Sequence, residues 1–235
     1  MEILVKEDVS CYASETQQNV LGTISGIDII ARKFFITGGT TLSVFFLHHR
    51  ASEDLDFFST EFRDLNKIHT TLRRTFKNDL TLIQSSSEFY SYLIKEVKVD
   101  FVFDPLSTIE KRPLVSLRVG KEIFIDTLDN IGSNKLSAVA SRFEAKDIID
   151  FYFINKIAWK GSEEKNFLAC YDMARKKEAL LDDPAMAAYQ IEELLNRVLS
   201  EKEKILPPMK KKVDWNSFEE DLRFYIELLY RMEKW

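Results

Sequence analysis

Four groups of residues in this chain could do chemistry together. The first is Gly38-Gly39-Thr40-Thr41, which follows the apolar run Lys33 to Thr37. Glycines at a strand-to-helix turn let the backbone approach a ligand closely. N–H groups and hydroxyls at a helix start suit an anion such as phosphate. A tight turn with an N-cap threonine is the plainer alternative. The second group is Asp54-Leu55-Asp56-Phe57. On a strand, residues i and i+2 share a face, so two carboxylates stand side by side and repel each other. A bound Mg2+ removes that penalty; a solvated edge strand is the alternative. The third is Asp100, within Lys98-Val99-Asp100-Phe101-Val102. Aspartate is a poor strand former and is costly in a core strand without a partner. A metal shared with a neighbouring strand would supply one, as would solvent or a surface lysine. The fourth is Lys135 with Arg142, seven residues apart and so on one helix face. Two cations there could offset the charge of a triphosphate in a transition state. Asp147 and Asp150 follow closely, with surface ion pairing as their alternative role.

These groups need strands and helices to position them. Lys33 to Thr37 reads as a strand running into the glycine pair, and Thr40 to His49 as a short apolar helix. Asp54 to Ser59 reads as a strand. Phe62, Leu65, Ile68, Leu72 and Phe76 have helical spacing. Strand-like runs follow at Leu80 to Gln84, Phe89 to Ile94, Val97 to Phe103, Leu114 to Val119 and Glu122 to Ile125. From Thr127 onward the pattern is helical: Asp129 to Ser141, Ala145 to Trp159, Ser162 to Lys177, Pro184 to Lys204 and Ser217 to Lys234. Strands followed by helices favour an α+β fold. We expect a mixed sheet with flanking helices over residues 1–126 and a helical bundle over 127–235.

Composition narrows the function classes. The 235 residues include 33 Lys+Arg and 38 Asp+Glu, for a net charge of −5, with 45% hydrophobic and 30% charged residues. Disordered and collagen-like classes are excluded. An acidic balance argues against coating nucleic acid by net charge. Local basic runs at Arg73-Arg74, Arg175-Lys176-Lys177 and Lys210-Lys211-Lys212 could still follow a phosphate backbone. Cys11 and Cys170 cannot build a disulfide framework or a zinc site by themselves and read as buried small residues. His48, His49 and His69 lack metal-ligand spacing and read as structural or surface. With no basic-then-apolar leader and no run near the ~18 apolar residues of a membrane span, a soluble, cytoplasmic protein is expected.

Together, the glycine turn, the Asp-x-Asp strand and the later Asp resemble the polymerase-beta-type nucleotidyltransferase superfamily. Gly-Gly-Thr-Thr-Leu-Ser, then His49-Arg50, Ser52, Asp54-Leu55-Asp56-Phe57, is similar to the nucleotidyltransferase toxin family AbiEii/AbiGii. So are Ser133-Asn134-Lys135-Leu136, Ala138, Arg142, Lys146-Asp147 and Asp150. The resemblance spans roughly residues 34–160. It implies a nucleotidyltransferase-type fold with Asp54 and Asp56 as the metal-binding pair and Asp100 as third carboxylate and general base. It implies that Lys135 contacts the nucleotide phosphates and that Asp147, or its neighbour Asp150, is the downstream acidic residue. Gly38, Gly39 and Thr40 match the phosphate-side turn; Thr41 stands where the family often has a small apolar residue, and with Arg142 it completes the nucleotide-binding set. The implied activity is two-metal, Mg2+-dependent transfer of a nucleotide from an NTP, releasing pyrophosphate. The tRNA 3′ end is the implied acceptor, within a toxin–antitoxin or phage-defence system with a cognate antitoxin. The alternatives are a small-molecule acceptor such as an antibiotic, or a catalytically inactive nucleotide-binding module.

Overall fold

A computed structural model describes residues 5–107 and 111–232. The chain forms two compact units, one running to Thr127 and one beginning at Leu128.

The first unit is built on a mixed sheet, as expected, with helices beside it. Its strands are β1 (Phe35–Thr37), β2 (Leu55–Ser59), β3 (Leu80–Ser85), β4 (Phe89–Ile94), β5 (Val97–Phe103), β6 (Leu114–Ser116) and β7 (Glu122–Ile125). Among the described residues the sheet has seven strands in the order β3-β4-β5-β2-β1-β7-β6. The β2–β5 and β1–β7 pairs are parallel and the others antiparallel. Period-two patterning puts Leu55, Phe57, Val99 and Phe101 on the core side, all without solvent exposure. Phe57 and Phe101 stack with ring centroids 4.9 Å apart. Each such ring contributes about 1.5–3 kcal/mol by leaving water, which fixes the register of β2 against β5.

Two helices precede the sheet: α1 (Glu15–Ser25) and α2 (Asp28–Lys33). Ser14 starts α1 by accepting the Gln17 N–H at 3.1 Å, the ordinary N-cap bond. The glycine turn opens α3 (Gly38–Thr41), which widens into a π-helix over Leu42–Leu47. A single short helix over Thr40 to His49 was the expectation. The widened turn leaves all six residues from Leu42 to Leu47 buried, so no polar face holds them to the α-helical period. His48 ends it in the left-handed region at φ 50°. The helix α4 (Leu65–Phe76) starts at Asp64 and buries Leu65, Ile68, Leu72 and Phe76, the periodic set seen in the sequence. The strand expected over Leu114 to Val119 is shorter because the chain turns back: Gly120 has φ 74°, and the Leu117 N–H reaches the Lys121 carbonyl at 2.7 Å.

The second unit contains α5 (Leu128–Arg142), α6 (Ala145–Ala158), α7 (Glu163–Ala174), α8 (Pro184–Ile205) and α9 (Trp215–Met232). Asp183 caps α8 just before Pro184. An aromatic core joins three of these helices. Phe151 packs edge-on against Trp159, Phe167 and Tyr225, and Phe167 stacks on Tyr225 at 4.1 Å. The Tyr225 hydroxyl donates to Asn155 Oδ1 at 2.5 Å, satisfying the polar end of a buried ring. Among the described residues, no helix is long and apolar enough to cross a membrane.

Candidate active site

The candidate site in the first unit is a row of polar residues crossing four adjacent strands. Ser91 of β4 pairs with Asp100 of β5. Asp100 pairs with Asp56 of β2, and Asp56 pairs with Thr37 of β1. Residues paired across a sheet share its face, so this row lies opposite the Phe57–Phe101 core. Asp54 stands one residue before β2, on the Asp56 side by strand alternation.

The glycine turn closes one end of the row. Gly38 has φ +73°, and a Cβ there would collide with the Asp56 carboxylate. A Cβ on Gly39 would strike the Arg50 guanidinium and lie 2.9 Å from Ser52 Oγ. Both glycines are therefore required by close approach, and Gly38 also by its backbone angle. The two threonines differ from expectation. Thr40 and Thr41 are completely buried. The Thr40 hydroxyl donates to the Asp54 carbonyl, tying the turn to the start of β2. Among the described residues the Thr41 hydroxyl has no hydrogen-bond partner. The turn thus presents backbone rather than hydroxyls, because the helix that follows is apolar and draws both side chains inward.

Several positioning residues escaped the sequence reading. Gln17 on α1 reaches both Thr40 Oγ1, at 3.3 Å, and the Asp54 carbonyl, at 3.4 Å. Thr37 donates to the buried Asp126 carboxylate at 2.6 Å. Asp126 also accepts from Arg112 Nε at 3.2 Å, and that guanidinium lies over the Phe35 ring at 3.5 Å. Glutamine in a helix or aspartate after a strand carries no local signal; only the sheet order brings Asp126 beside Thr37.

Charge in the row is negative and partly balanced by one lysine. Asp100 accepts from Ser91 Oγ at 2.6 Å and from Lys98 Nζ at 2.9 Å. Burial works to lower the Lys98 pKa, but the hydrogen bond and charge of Asp100 outweigh it, helped by Asp54 and Asp56, so it is raised. One ammonium thus feels three carboxylates. Carboxylates paired across two neighbouring strands, beside a glycine with no room for a side chain, are the oxygen-donor type that suits a hard divalent cation.

In the second unit, Lys135, Arg142, Asp147 and Asp150 converge on one another. Lys135 Nζ lies 2.9 Å from Asp147 and 2.6 Å from Asp150. Arg142 forks onto Asp147 through Nε at 2.8 Å and Nη2 at 2.9 Å. The Lys135 side chain is 6% exposed, both carboxylates 0% and Arg142 50%. Two positive and two negative charges balance, three of the groups nearly dry and Arg142 half-exposed. Burial pushes the Asp147 pKa up, but the Lys135 charge and the Arg142 hydrogen bond prevail and hold it below the ordinary range. The spacing correctly put Lys135 and Arg142 on one face. Both reach Asp147, a contact the surface-pairing alternative missed because burial is not visible in spacing.

Of the basic runs, Arg73-Arg74, Arg175-Lys176 and Lys210 to Lys212 are exposed. Lys177 instead turns inward, donating to Asn130, Ser133 and Asn134 at 2.7, 2.9 and 2.6 Å.

The chain as a whole is similar to known proteins. The family model described as "Nucleotidyl transferase AbiEii toxin, Type IV TA system" matches residues 27–232. Among solved structures, a candidate nucleotidyltransferase from Helicobacter pylori superposes with a TM-score of 0.56 at 16% identity, over 94% of this chain and 97% of that one. JHP933 from the same organism gives a TM-score of 0.52 at 16% identity, over 94% of each chain. MenT4, a nucleotidyltransferase toxin from Mycobacterium tuberculosis, gives 0.55 at 14% identity, over 92% of this chain and 82% of that one. At these identities the likeness is one of fold. No curated protein matches the sequence.

Proposed function

We infer the reaction from one premise: this chain belongs to the AbiEii family of nucleotidyl transferase toxins, and is a nucleotidyltransferase enzyme. Its donor is an NTP and its acceptor the 3′ end of tRNA. It acts in the cytoplasm as the toxin of a toxin–antitoxin or phage-defence pair, held in check by a cognate antitoxin. The observation that carries this reading is the pairing of Asp100 with Asp56 beside the Gly38 turn. It puts anionic oxygens from two strands next to backbone that a phosphate could approach.

Asp54, Asp56 and Asp100 would hold two Mg2+ ions. Bound there, Mg2+ supplies positive charge against the triphosphate and acidifies the acceptor hydroxyl. Asp100 takes the hydroxyl proton; its carboxylate has about four lone-pair sites, enough to keep its bonds to Ser91 and Lys98. The hydroxyl oxygen bonds to the α-phosphorus as the bond from that phosphorus to the bridging oxygen breaks. Pyrophosphate leaves with the electron pair. Gly38 and Gly39 offer the phosphate side a bare backbone. Thr40 serves by holding the Asp54 carbonyl, and Thr41 by filling space behind the turn. By the family motif Lys135 is the residue that would meet phosphate; within the second unit its ammonium is held by Asp147 and Asp150, with Arg142 forked onto Asp147.

The test is mass analysis of tRNA after incubation with the purified protein, Mg2+ and each of the four NTPs, with aminoglycosides run in parallel. tRNA is expected to gain nucleotide mass, and a folded Asp56→Asn variant to lose about a hundredfold or more in rate. Mass gained by the aminoglycoside instead would assign a small-molecule acceptor. NTP binding without turnover on any acceptor would assign an inactive binding module.

A further inference from the structure

Three potential metal ligands meet away from the acidic row. The carboxylate of Asp8, the thiol of Cys11 and the imidazole of His48 place one ligand atom each within 4.8 Å of one another. We propose that they bind a borderline transition-metal ion, Zn2+, in a site distinct from the Mg2+ positions.

The donor chemistry selects the ion. Carboxylate, thiolate and imidazole together suit Zn2+ and not Mg2+. The histidine is already oriented for this role. His48 Nδ1 lies 3.1 Å from the Ser43 carbonyl. A carbonyl only accepts, so Nδ1 carries the proton and Nε2 keeps its lone pair for a metal. A backbone carbonyl behind a ligating imidazole is the usual supporting arrangement. The backbone also assembles the trio before any metal arrives. The Asp8 N–H donates to the Val44 carbonyl at 2.8 Å, and the Ser52 N–H to the Cys11 carbonyl at 3.2 Å. The Asp8 carboxylate accepts the Ser10 N–H at 3.0 Å, which holds its orientation.

Burial argues for an ion and against a reacting substrate. Cys11 is 0% exposed, so a bulky electrophile cannot reach its sulfur. Asp8 and His48 are half-buried and give a small ion a way in. Binding converts the thiol to thiolate and releases its proton to solvent. Three protein ligands leave the fourth tetrahedral position to water. The site also bears on the glycine turn: Ser52, tied to Cys11, is the residue whose hydroxyl faces Gly39. A bound Zn2+ therefore braces the support of that turn. Spacing alone hid this site because its ligands come from residues 8, 11 and 48.

The test uses the full chain, stripped with a chelator and kept in Mg2+, titrated with Co2+ as a coloured Zn2+ substitute. A thiolate-to-Co2+ charge-transfer band should saturate at one equivalent and vanish on adding Zn2+. It should be absent in Cys11→Ser and in His48→Asn, asparagine being tolerated at positive φ. Asp56→Asn should leave it unchanged, which separates this site from the nucleotidyl-transfer machinery. Saturating Zn2+ should raise the melting temperature by about 5 °C. No band in the wild-type chain, or a band that survives both substitutions, overturns the proposal.

Discussion

Gly38 has no room for a side chain, and this is the most demanding position in the acidic row. Its φ of +73° and the Asp56 carboxylate both oppose a Cβ. Gly38→Ala is expected to destabilise the protein by roughly 1–3 kcal/mol through backbone strain. It should also push Asp56 out of register with Asp100. Misplacing a reacting group by about 1 Å can cost on the order of a hundredfold in rate. Urea unfolding and a turnover assay on the same sample check both effects. A variant with unchanged turnover would mean that the turn does not set the Asp56 position. The same close packing explains why Thr40 is legible as a turn residue but not as a phosphate ligand. Its neighbours decide where its hydroxyl goes, and the nearest acceptor is the Asp54 carbonyl.

At the scale of elements, α5 and α6 are joined by the Lys135–Asp147–Arg142–Asp150 network. The Asp147 pKa is held below the ordinary carboxylate range. In the unfolded chain this group titrates near pH 4. Its stabilising contribution is therefore complete above that pH and is lost as pH falls through the lower folded value. Acid titration of helical circular dichroism should show wild type losing stability in this range, with a smaller pH dependence in Asp147→Asn. At neutral pH that variant should be less stable by about 1.5–3 kcal/mol, since Lys135 loses a charged hydrogen-bond partner and keeps only Asp150. The half-exposed Arg142 adds little of this, because solvent screens it. An Asp147→Asn variant as stable as wild type at pH 7 would show that the network does not hold the two helices.

At the scale of the whole molecule, the net charge is −5, so the tRNA acceptor proposed above would have to be held by local basic clusters. Lys177 is committed inward, while Arg73-Arg74, Arg175-Lys176 and Lys210 to Lys212 are exposed. Replacing Lys210, Lys211 and Lys212 together by alanine should weaken tRNA binding. It should also reduce the slope of log affinity against log salt by about 2, three lost phosphate contacts at ~0.7 each. Filter binding across a salt series measures this. An unchanged slope would mean that RNA follows another face.

Sequence by itself determined the periodic features: the alternating strands, the helical stripe of α4, the positions of Asp54, Asp56 and Asp100, and the shared face of Lys135 and Arg142. Period and residue type are local properties, and a strand or helix converts them directly into faces. Helices α1 and α2 were not legible, because Thr, Gln and Asn dominate α1 and leave a weak apolar stripe. The tertiary structure alone decided what lies beside what. It set Asp126 against Thr37, Gln17 against the start of β2, and Asp8 and Cys11 against His48, across separations of up to 89 residues. It also decided which charges are dry. Those outcomes depend on strand order and burial, which arise from packing the whole unit and leave no trace in any short stretch of chain.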